Sequence, residues 1–228
     1  MPAKLSVIMP TLNAEKGLAR SLPALSEGLT TGLIRELVMS DGGSTDATLR
    51  IAEAAGATLV TGTASRGGQL RRGADAATAE WLFFLHADTV LPPGWADAVG
   101  AHLITQRPAW CPMRFDHGGL PARVVAGWAN LRARAFALPY GDQGLLISQA
   151  EYDSVGGFPD QPLMEDVAMA RAVGRRLMPL PVTVTTSAER YVRDGWLRRG
   201  ARNLSLLTRY LAGADPEKLV GKYCTRGI

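Results

Sequence analysis

The sequence predicts an α/β fold built on a mostly parallel sheet flanked by helices, with a helical C-terminal region. Short apolar stretches alternate with segments of helical periodicity over residues 5–85, which is the pattern of a doubly wound sheet. Three of these apolar stretches run into polar residues, at Thr11, Asp41 and Asp88. If the three are parallel neighbours, their carboxyl ends meet at one sheet edge, where α/β proteins bind ligands.

The first four strands and the helices between them follow from local patterns. Leucines at positions 18, 22, 25 and 29 have helical spacing, whereas the unbroken apolar run 81–85 is typical of a strand covered on both faces. The Gly42-Gly43 pair predicts a sharp turn, after which Ser44 or Thr45 caps a helix that Gly56 ends. The predicted strands cover residues 5–9, 36–40, 57–61 and 81–85, and the predicted helices cover 15–29, 44–55 and 69–79.

The second half of the chain gives weaker signals. Pro92-Pro93 suits the first turn of a helix, and residues 110–115 are predicted as one strand. Residues 120–138 are apolar but interrupted by arginines, which predicts an amphipathic helix that packs on the sheet or contacts a membrane. From Tyr191 onward we expect a helical tail that folds back over the site or docks on a partner.

Composition and charge restrict the class of protein. The chain has 228 residues, of which 46% are hydrophobic, and its 25 Lys and Arg against 21 Asp and Glu give a net charge of +4. This mild surplus suits phosphate-bearing ligands or an anionic membrane surface and predicts no nucleic-acid partner. Cys111 and Cys224 form neither a disulfide framework nor a metal-ligand spacing. Oligomeric state is not indicated.

The sequence gives no sign of secretion or of a transmembrane span. Residues 1–4 lead directly into the first strand, and no apolar run reaches the roughly 20 residues that cross a bilayer. We therefore expect a cytoplasmic protein, with peripheral contact at the inner face of the membrane as an open alternative.

Three acidic residues and one basic residue are candidates for catalysis or ligand binding. Asp88, just past a buried strand, fits a metal or substrate contact, or a turn before Pro92-Pro93. Glu165 and Asp166 begin a helix, where they either serve as caps or hold a general base. Arg71 either meets a phosphate at the sheet edge or lies on a solvated helix face. Neither a dinucleotide-binding glycine motif nor a P-loop is present, so acids and a metal are the expected ligand-binding groups.

These motifs, taken together, resemble the inverting family-two glycosyltransferases of the GT-A fold. Four segments carry the resemblance, in the family's order: residues 8–15, residues 40–46, residues 86–88, and Gly157-Phe158 with Glu165-Asp166. They span about residues 4–176. Residues 139–143 and 162–166 look like a small bacterial subfamily of soluble family-two enzymes.

The resemblance implies a nucleotide-diphosphate sugar as donor, an unknown acceptor, and Mn²⁺ or Mg²⁺ as cofactor. Its residue-by-residue roles are as follows: Pro10, Thr11 and Asp41 line the nucleoside pocket, Arg71 approaches the base or diphosphate, Arg190 grips diphosphate or acceptor, Asp88 holds the metal, Asp166 is the base, and Glu165 is its neighbour. The family's two-acid metal motif stands here as His86-Ala87-Asp88. His86 therefore faces the metal, the donor or the core.

The resemblance also implies one glycosyltransferase domain over residues 1–228. Its expected parts are a nucleotide-binding half at 1–105, an acceptor and base half at 106–190, and a helical tail at 191–228. Two other functions remain open, namely a sugar-1-phosphate nucleotidyltransferase and a non-catalytic nucleotide-sugar-binding protein. The first predicts a glycine-rich basic loop after the first strand, which residues 10–15 lack, and the Glu165-Asp166 pair argues against the second.

Overall fold

A computed structural model describes residues 3–224, with side chains through residue 220. The strands are β1 Leu5–Thr11, β2 Ile34–Asp41, β3 Thr58–Thr61, β4 Trp81–Phe84, β5 Ala109–Trp110, β6 Met113–Phe115, β7 Leu145–Ser148, β8 Met178–Pro179 and β9 Val184–Thr186. The helices are α1 Glu15–Thr30, α2 Thr48–Ala54, α3 Arg66–Ala76, α4 Trp95–Leu103, α5 Leu120–Phe136, α6 Gln149–Ser154, α7 Glu165–Val173, α8 Glu189–Asp194, α9 Trp196–Leu211 and α10 Pro216–Cys224.

Seven of the strands form one mostly parallel sheet in the order β3-β2-β1-β4-β7-β5-β8, which confirms the predicted fold class. The first four are parallel, β7 runs antiparallel to both β4 and β5, and β5 and β8 are parallel. Strands β6 and β9 form a separate pair. Because β2, β1 and β4 are parallel neighbours, the chain leaves all three at the same edge of the sheet.

The sheet is covered on both faces, which explains why its central strands lack apolar-polar alternation. Val7 and Met9 of β1 pack with α1 and α4, whereas Ile8 packs with α3 on the opposite face. The same division separates Phe83 from Phe84 in β4. Every side chain of β4 is buried.

Three predicted boundaries were wrong, each for a local reason. The predicted strand 110–115 is two strands in two sheets, because Pro112 has no amide hydrogen to continue the ladder. Helix α2 begins at Thr48, since Ser44 instead donates to Asp41. Helix α3 begins at Arg66, because Ser65 caps it by accepting from the Gly68 amide.

The tail folds back onto the segment that begins α7. Leu206 and Leu207 of α9 are buried with Leu163, Met164 and Val167. Helix α9 also contacts α5. Within residues 3–224, no helix combines the length and apolar character that crossing a membrane requires.

Close packing of α3 on the sheet depends on a glycine. A Cβ at Gly73 would lie 2.5 Å from Ile8 Cγ2, whereas a Cβ at Gly100 of α4 would meet no atom within 4 Å. We expect Gly73→Ala to lower the free energy of unfolding by about 1–3 kcal/mol through overpacking. Gly100→Ala, the matched control, should raise it by about 0.4–1 kcal/mol through reduced unfolded-state entropy. Urea denaturation measures both, and equal effects would contradict this packing.

Candidate active site

Asp41 organises the loop that follows β2. Its carboxylate is buried and accepts hydrogen bonds from the hydroxyls of Thr11 and Ser44 and from the amides of Gly43 and Ser44. Burial opposes ionisation of Asp41, but the hydrogen bonds from Ser44, Gly43 and Thr11 outweigh it and lower the pKa of this carboxyl. Both carboxylate oxygens therefore accept hydrogen bonds from the loop and from Thr11, so Asp41 stabilises the conformation of this sheet edge.

Gln69 ties the ends of β1 and β2 together. Its amide nitrogen donates to the backbone carbonyls of Thr11 at 2.7 Å and of Ser40 at 2.9 Å. The side chain is buried in α3, and Gly42 packs closely against its amide. Helix α3 thus fixes the edge at which Pro10, Thr11 and Asp41 lie together.

His86 is held between α3 and the loop before β7. Its Nε2 lies 3.3 Å from Arg66 Nη2 and against the Cα of Gly141, where any side chain would collide with the ring. A guanidinium only donates, so Nε2 accepts this hydrogen bond and Nδ1 carries the proton. Burial, with the charges of Arg66 and Arg190, lowers the pKa of His86 to about 3, so the ring is neutral at pH 7. In this arrangement its Nε2 lone pair faces Arg66.

Asp88 lies in a turn at the same sheet edge, one that helix α1 supports. The turn is closed by the Thr89 amide donating to the His86 carbonyl, and Ser21 of α1 donates to the Ala87 carbonyl at 2.7 Å. Gly17 lets α1 approach the backbone at Asp88 closely. The half-buried Asp88 carboxylate is electrostatically coupled to Asp142.

Asp142 is a second carboxylate at this place, and one that the sequence did not single out. It lies in a single turn of 3-10 helix, Gly141–Gln143, and its Oδ1 is buried without a hydrogen-bond donor. Burial raises the pKa of Asp142 to about 6, against the opposing charge of Arg132, and the charges of Asp166 and Asp88 reinforce the rise. A buried oxygen without a hydrogen-bond donor, on a carboxyl affected by two other acids, is an oxygen-donor position suited to a hard cation.

The acidic pair at the start of α7 divides into one buried and one accessible group. Asp166 is half-buried, and its Oδ2 accepts from the Gly141 amide at 2.8 Å while its Oδ1 accepts from the Val167 amide at 2.7 Å. Glu165 is 1% exposed and pairs with Arg66 Nε at 3.2 Å. Burial raises the pKa of Glu165 to about 7 although Arg66 opposes the rise, and Asp166 adds to it.

A buried arginine supports the Gly141–Gln143 turn. The guanidinium of Arg132 in α5 donates to the Leu138 carbonyl at 2.8 Å and to Gln143 Oε1 at 3.2 Å, and it stacks 3.3 Å from the centre of the Tyr140 ring. Asn130, also in α5, accepts from Gln143 Nε2. Helix α5 therefore sets the position of the turn that holds both Asp142 and the Gly141 amide.

Arg71 and Arg190 lie in different surroundings. Arg71 is exposed on α3 and interacts electrostatically with Tyr152, while Arg66 of the same helix reaches His86 and Glu165. The structure therefore does not bring Arg71 into this cluster. Arg190 is exposed on α8, close enough to His86 to lower the pKa of its ring.

Sequence reasoning missed Arg66, Gln69, Asp142 and Arg132. Arg66 fell outside the predicted helix because its start lay three residues late, although Ser65 is an ordinary N-cap signal. Gln69 lay inside the predicted helix, but its contacts with the carbonyls of Thr11 and Ser40 depend on the tertiary fold. Asp142 was available in the polar loop 139–143, but nothing in the sequence shows that Asp88 is its neighbour. Arg132 was read as an interruption of an apolar helix.

No protein-only metal site is preformed among the described residues. The described His, Cys, Asp and Glu side chains include no group of three or more arranged to hold an ion. Behind His86 and Asp166 lies a mostly apolar cavity whose walls include Leu70, Phe84, Tyr140, Phe158 and Met169. These apolar walls account for the desolvation of the ionisable groups at its border.

Comparisons with known proteins identify a matching family and structures that share the fold. A family model described as glycosyl transferase family 2 matches residues 6–124, just over half of the chain. No curated protein matches the sequence.

Solved structures share the fold at low sequence identity. The chain is similar to a mannosyltransferase, PcManGT, from Pyrobaculum calidifontis in complex with GDP-Man and Mn²⁺, with a TM-score of 0.67, 20% identity, and coverage of 95% of this chain and 67% of that one. It is similar to S. aureus TarS with UDP-GlcNAc, with a TM-score of 0.62, 20% identity and 81% coverage; it spans 58% of that chain. Glucosyl-3-phosphoglycerate synthase from Mycobacterium tuberculosis, with Mn²⁺, UDP and glucosyl-3-phosphoglycerate, gives a TM-score of 0.57, 21% identity, and coverage of 81% and 70% respectively.

The Asp41 carboxylate should stabilise the fold in a pH-dependent way. Asp41→Asn replaces an acceptor oxygen by a donor facing the Gly43 and Ser44 amides, so we expect the free energy of unfolding at pH 7 to fall by about 2–3 kcal/mol. Because the pKa of Asp41 is lowered from 3.8, its contribution is complete above the unfolded pKa and is lost as pH falls through the folded one.

Urea titrations at pH 7 and at pH 3 test this expectation, and the gap between wild type and variant should narrow at the lower pH. Glu53→Gln on the exposed face of α2 is the control, and it should change stability by less than about 0.5 kcal/mol. An Asp41→Asn protein as stable as wild type at pH 7 would show that the carboxylate does not hold the loop.

Proposed function

Because this chain belongs to glycosyl transferase family 2, we propose that it transfers a sugar from a nucleoside-diphosphate donor to an acceptor hydroxyl, inverting the anomeric carbon, with Mn²⁺ or Mg²⁺ as cofactor. The observation that carries the proposal is the placement of Asp166. This carboxylate lies in the first turn of α7, is oriented by the Gly141 amide, borders an apolar cavity, and helps to raise the pKa of Asp142, as Asp88 also does. Inversion in one step needs one such oriented base.

Asp166 is the proposed general base. Its two hydrogen bonds, from the Gly141 and Val167 amides, use one lone pair on each oxygen and leave the others to accept a proton from the acceptor hydroxyl. The two amide donors hold the carboxylate in one orientation, which reduces the entropic cost of reaching a reactive geometry. Displacement then forms the bond from acceptor oxygen to sugar carbon, breaks the bond to the diphosphate, and leaves the proton on Asp166.

Arg66 is proposed to bind the diphosphate, and Glu165 is proposed to position Arg66. The buried Glu165 holds the Arg66 guanidinium, which is also fixed by His86, and the Arg66 side chain remains 39% exposed. An arginine oriented from two sides and still partly open to solvent suits a phosphate oxygen. Arg190, close to the same imidazole, is the second proposed contact.

The nucleoside is proposed to bind at the β1 and β2 ends. Pro10 and Thr11 line this edge, and Asp41 defines the loop opposite. Leu12 is 50% exposed directly after β1, so it offers an apolar surface to a base. The nucleoside diphosphates and sugars bound by TarS, PcManGT and the glucosyl-3-phosphoglycerate synthase make this class of donor the one to test.

The carboxylate oxygens of Asp88 and Asp142 favour a hard divalent cation, which they would hold together with the diphosphate. The orphaned Asp142 Oδ1 and its coupling to Asp88 fit such an ion, whereas the His86 Nε2 lone pair is engaged by Arg66. We therefore assign the expected metal role of His86 to Asp142. When bound, a divalent cation would neutralise charge on the departing diphosphate.

The base assignment predicts a kinetic effect without a binding effect. Asp166→Asn should reduce sugar transfer by roughly 10²–10⁴-fold, because the amide cannot take the acceptor proton. Donor binding by calorimetry should be nearly unchanged. Asp97→Asn, an exposed acid on α4, is the control and should transfer sugar like wild type. Undiminished turnover in the Asp166→Asn variant would exclude Asp166 as the base. Whether transfer inverts the sugar is measured separately, by NMR of the product's anomeric proton.

The cation assignment predicts a loss in metal-dependent binding. Titration of UDP, GDP, dTDP and CDP, each with and without Mn²⁺, should find one diphosphate whose affinity rises with Mn²⁺. Asp88→Ala should abolish that rise, and Asp142→Asn should reduce it roughly 10-fold or more, while metal-free binding is preserved. If Asp142→Asn keeps the full Mn²⁺ dependence, the cation is held elsewhere, and if no diphosphate binds, the donor-site proposal fails.

A further inference from the structure

Helix α5 turns its large apolar side chains away from the protein. Its buried face is made of small residues, Ala122, Ala126, Ala129 and Ala133, together with Arg132. Its outward face carries Leu120, Val124, Trp128 and Leu131, which are 72%, 61%, 46% and 57% exposed. Their spacing of four, four and three residues places them on one stripe. A helix on a water-facing surface normally has the opposite arrangement.

Helix α9, which contacts α5, repeats this arrangement. Leu197, Leu204 and Leu211 are 89%, 45% and 44% exposed and recur every seven residues, so they share one face. The opposite face buries Leu206 and Arg199. The two outward stripes lie on helices that contact each other, and together they expose seven large apolar side chains, more than scattered single residues would give.

The charges beside these stripes are all positive. Neither α5 nor α9 contains an Asp or a Glu. Arg123 and Arg134 lie on α5 and Arg198 and Arg209 on α9, all exposed and each within about a quarter turn to a third of a turn of its apolar stripe. Asp194, just before α9, pairs with Arg199 and Arg202, which are not among these four.

We propose that the outward faces of α5 and α9 bind the surface of an anionic lipid bilayer. Leucine, valine and tryptophan side chains would enter the headgroup boundary while the flanking arginines meet lipid phosphates. A second copy of the chain is the weaker occupant, because pairing these faces would bring arginines together with no acid on either helix. The proposal is independent of sugar transfer.

Vesicle sedimentation tests the surface directly. The full chain should pellet with vesicles of phosphatidylcholine and phosphatidylglycerol mixed at about 3:1 and much less with phosphatidylcholine alone, and raised salt should weaken pelleting. Trp128 gives a second readout, since Trp81, Trp95 and Trp110 are buried and Trp196, the fifth tryptophan, is half-buried against Phe115 and Tyr191. Its emission should shift to shorter wavelength on anionic vesicles, and Trp128→Phe should remove most of the shift, whereas Trp196→Phe should leave most of it.

Matched variants distinguish binding through this surface from nonspecific adsorption of exposed apolar residues. Leu120→Ser, Val124→Ser and Leu131→Ser together should weaken vesicle binding roughly tenfold or more, because these side chains are exposed in the free protein. Arg123→Gln with Arg134→Gln should remove the preference for anionic lipid. Ile104→Ser, at an 83% exposed apolar residue after α4, should bind as wild type. Circular dichroism and thermal melting confirm that each variant folds.

Four results would overturn the proposal. The first three are wild-type protein that binds no vesicle, a triple serine variant that binds like wild type, and a concentration-dependent dimer in light scattering that only the triple variant abolishes. The third would assign the surface to a second copy. Equal binding to both vesicle compositions would also overturn it, because the arginines would then have no role.

Discussion

The packing of Gly141 against the imidazole of His86 is the contact on which the arrangement of the site depends. It joins the parallel half of the sheet, which supplies His86 and Arg66, to the turn whose amide orients Asp166. Only glycine fits there, since any Cβ would overlap the ring. Two elements far apart in sequence thereby set the position of the Asp166 carboxylate.

Two buried carboxyls near this contact are only partly neutralised by the arginines around them. Glu165 and Asp142 are carboxyls with pKa values raised to about 7 and about 6, and Arg66 and Arg132 only partly offset their burial. Such groups store unfavourable electrostatic energy that a cationic or proton-donating ligand would relieve. A cation bound near these two carboxyls would lower their pKa values, whereas the Asp41 carboxylate is already satisfied by the hydrogen bonds of its own loop.

The sequence predicted the parallel sheet and the strand ends well, because buried parallel strands have unbroken apolar runs that few other structures share. It placed Thr11 beside Asp41 and recognised Glu165-Asp166 as the start of a helix. It did not find the antiparallel β7 or the role of Asp142, since both depend on contacts between distant segments. Arg66 was missed through a three-residue boundary error, so the neighbouring Arg71 took its expected place.

Cys111 makes opening of the Gly141–Gln143 turn measurable. Its thiol is fully buried, burial raises the thiol pKa to about 12, and its backbone amide donates to the Gln143 carbonyl at 2.7 Å. Alkylating reagents attack the thiolate, so reaction at Cys111 must wait until this region opens. In a variant with Cys224 replaced, the rate of Cys111 alkylation would report how often the region around the Gly141–Gln143 turn opens. A ligand that slows this reaction would show by how much its binding stabilises the closed turn.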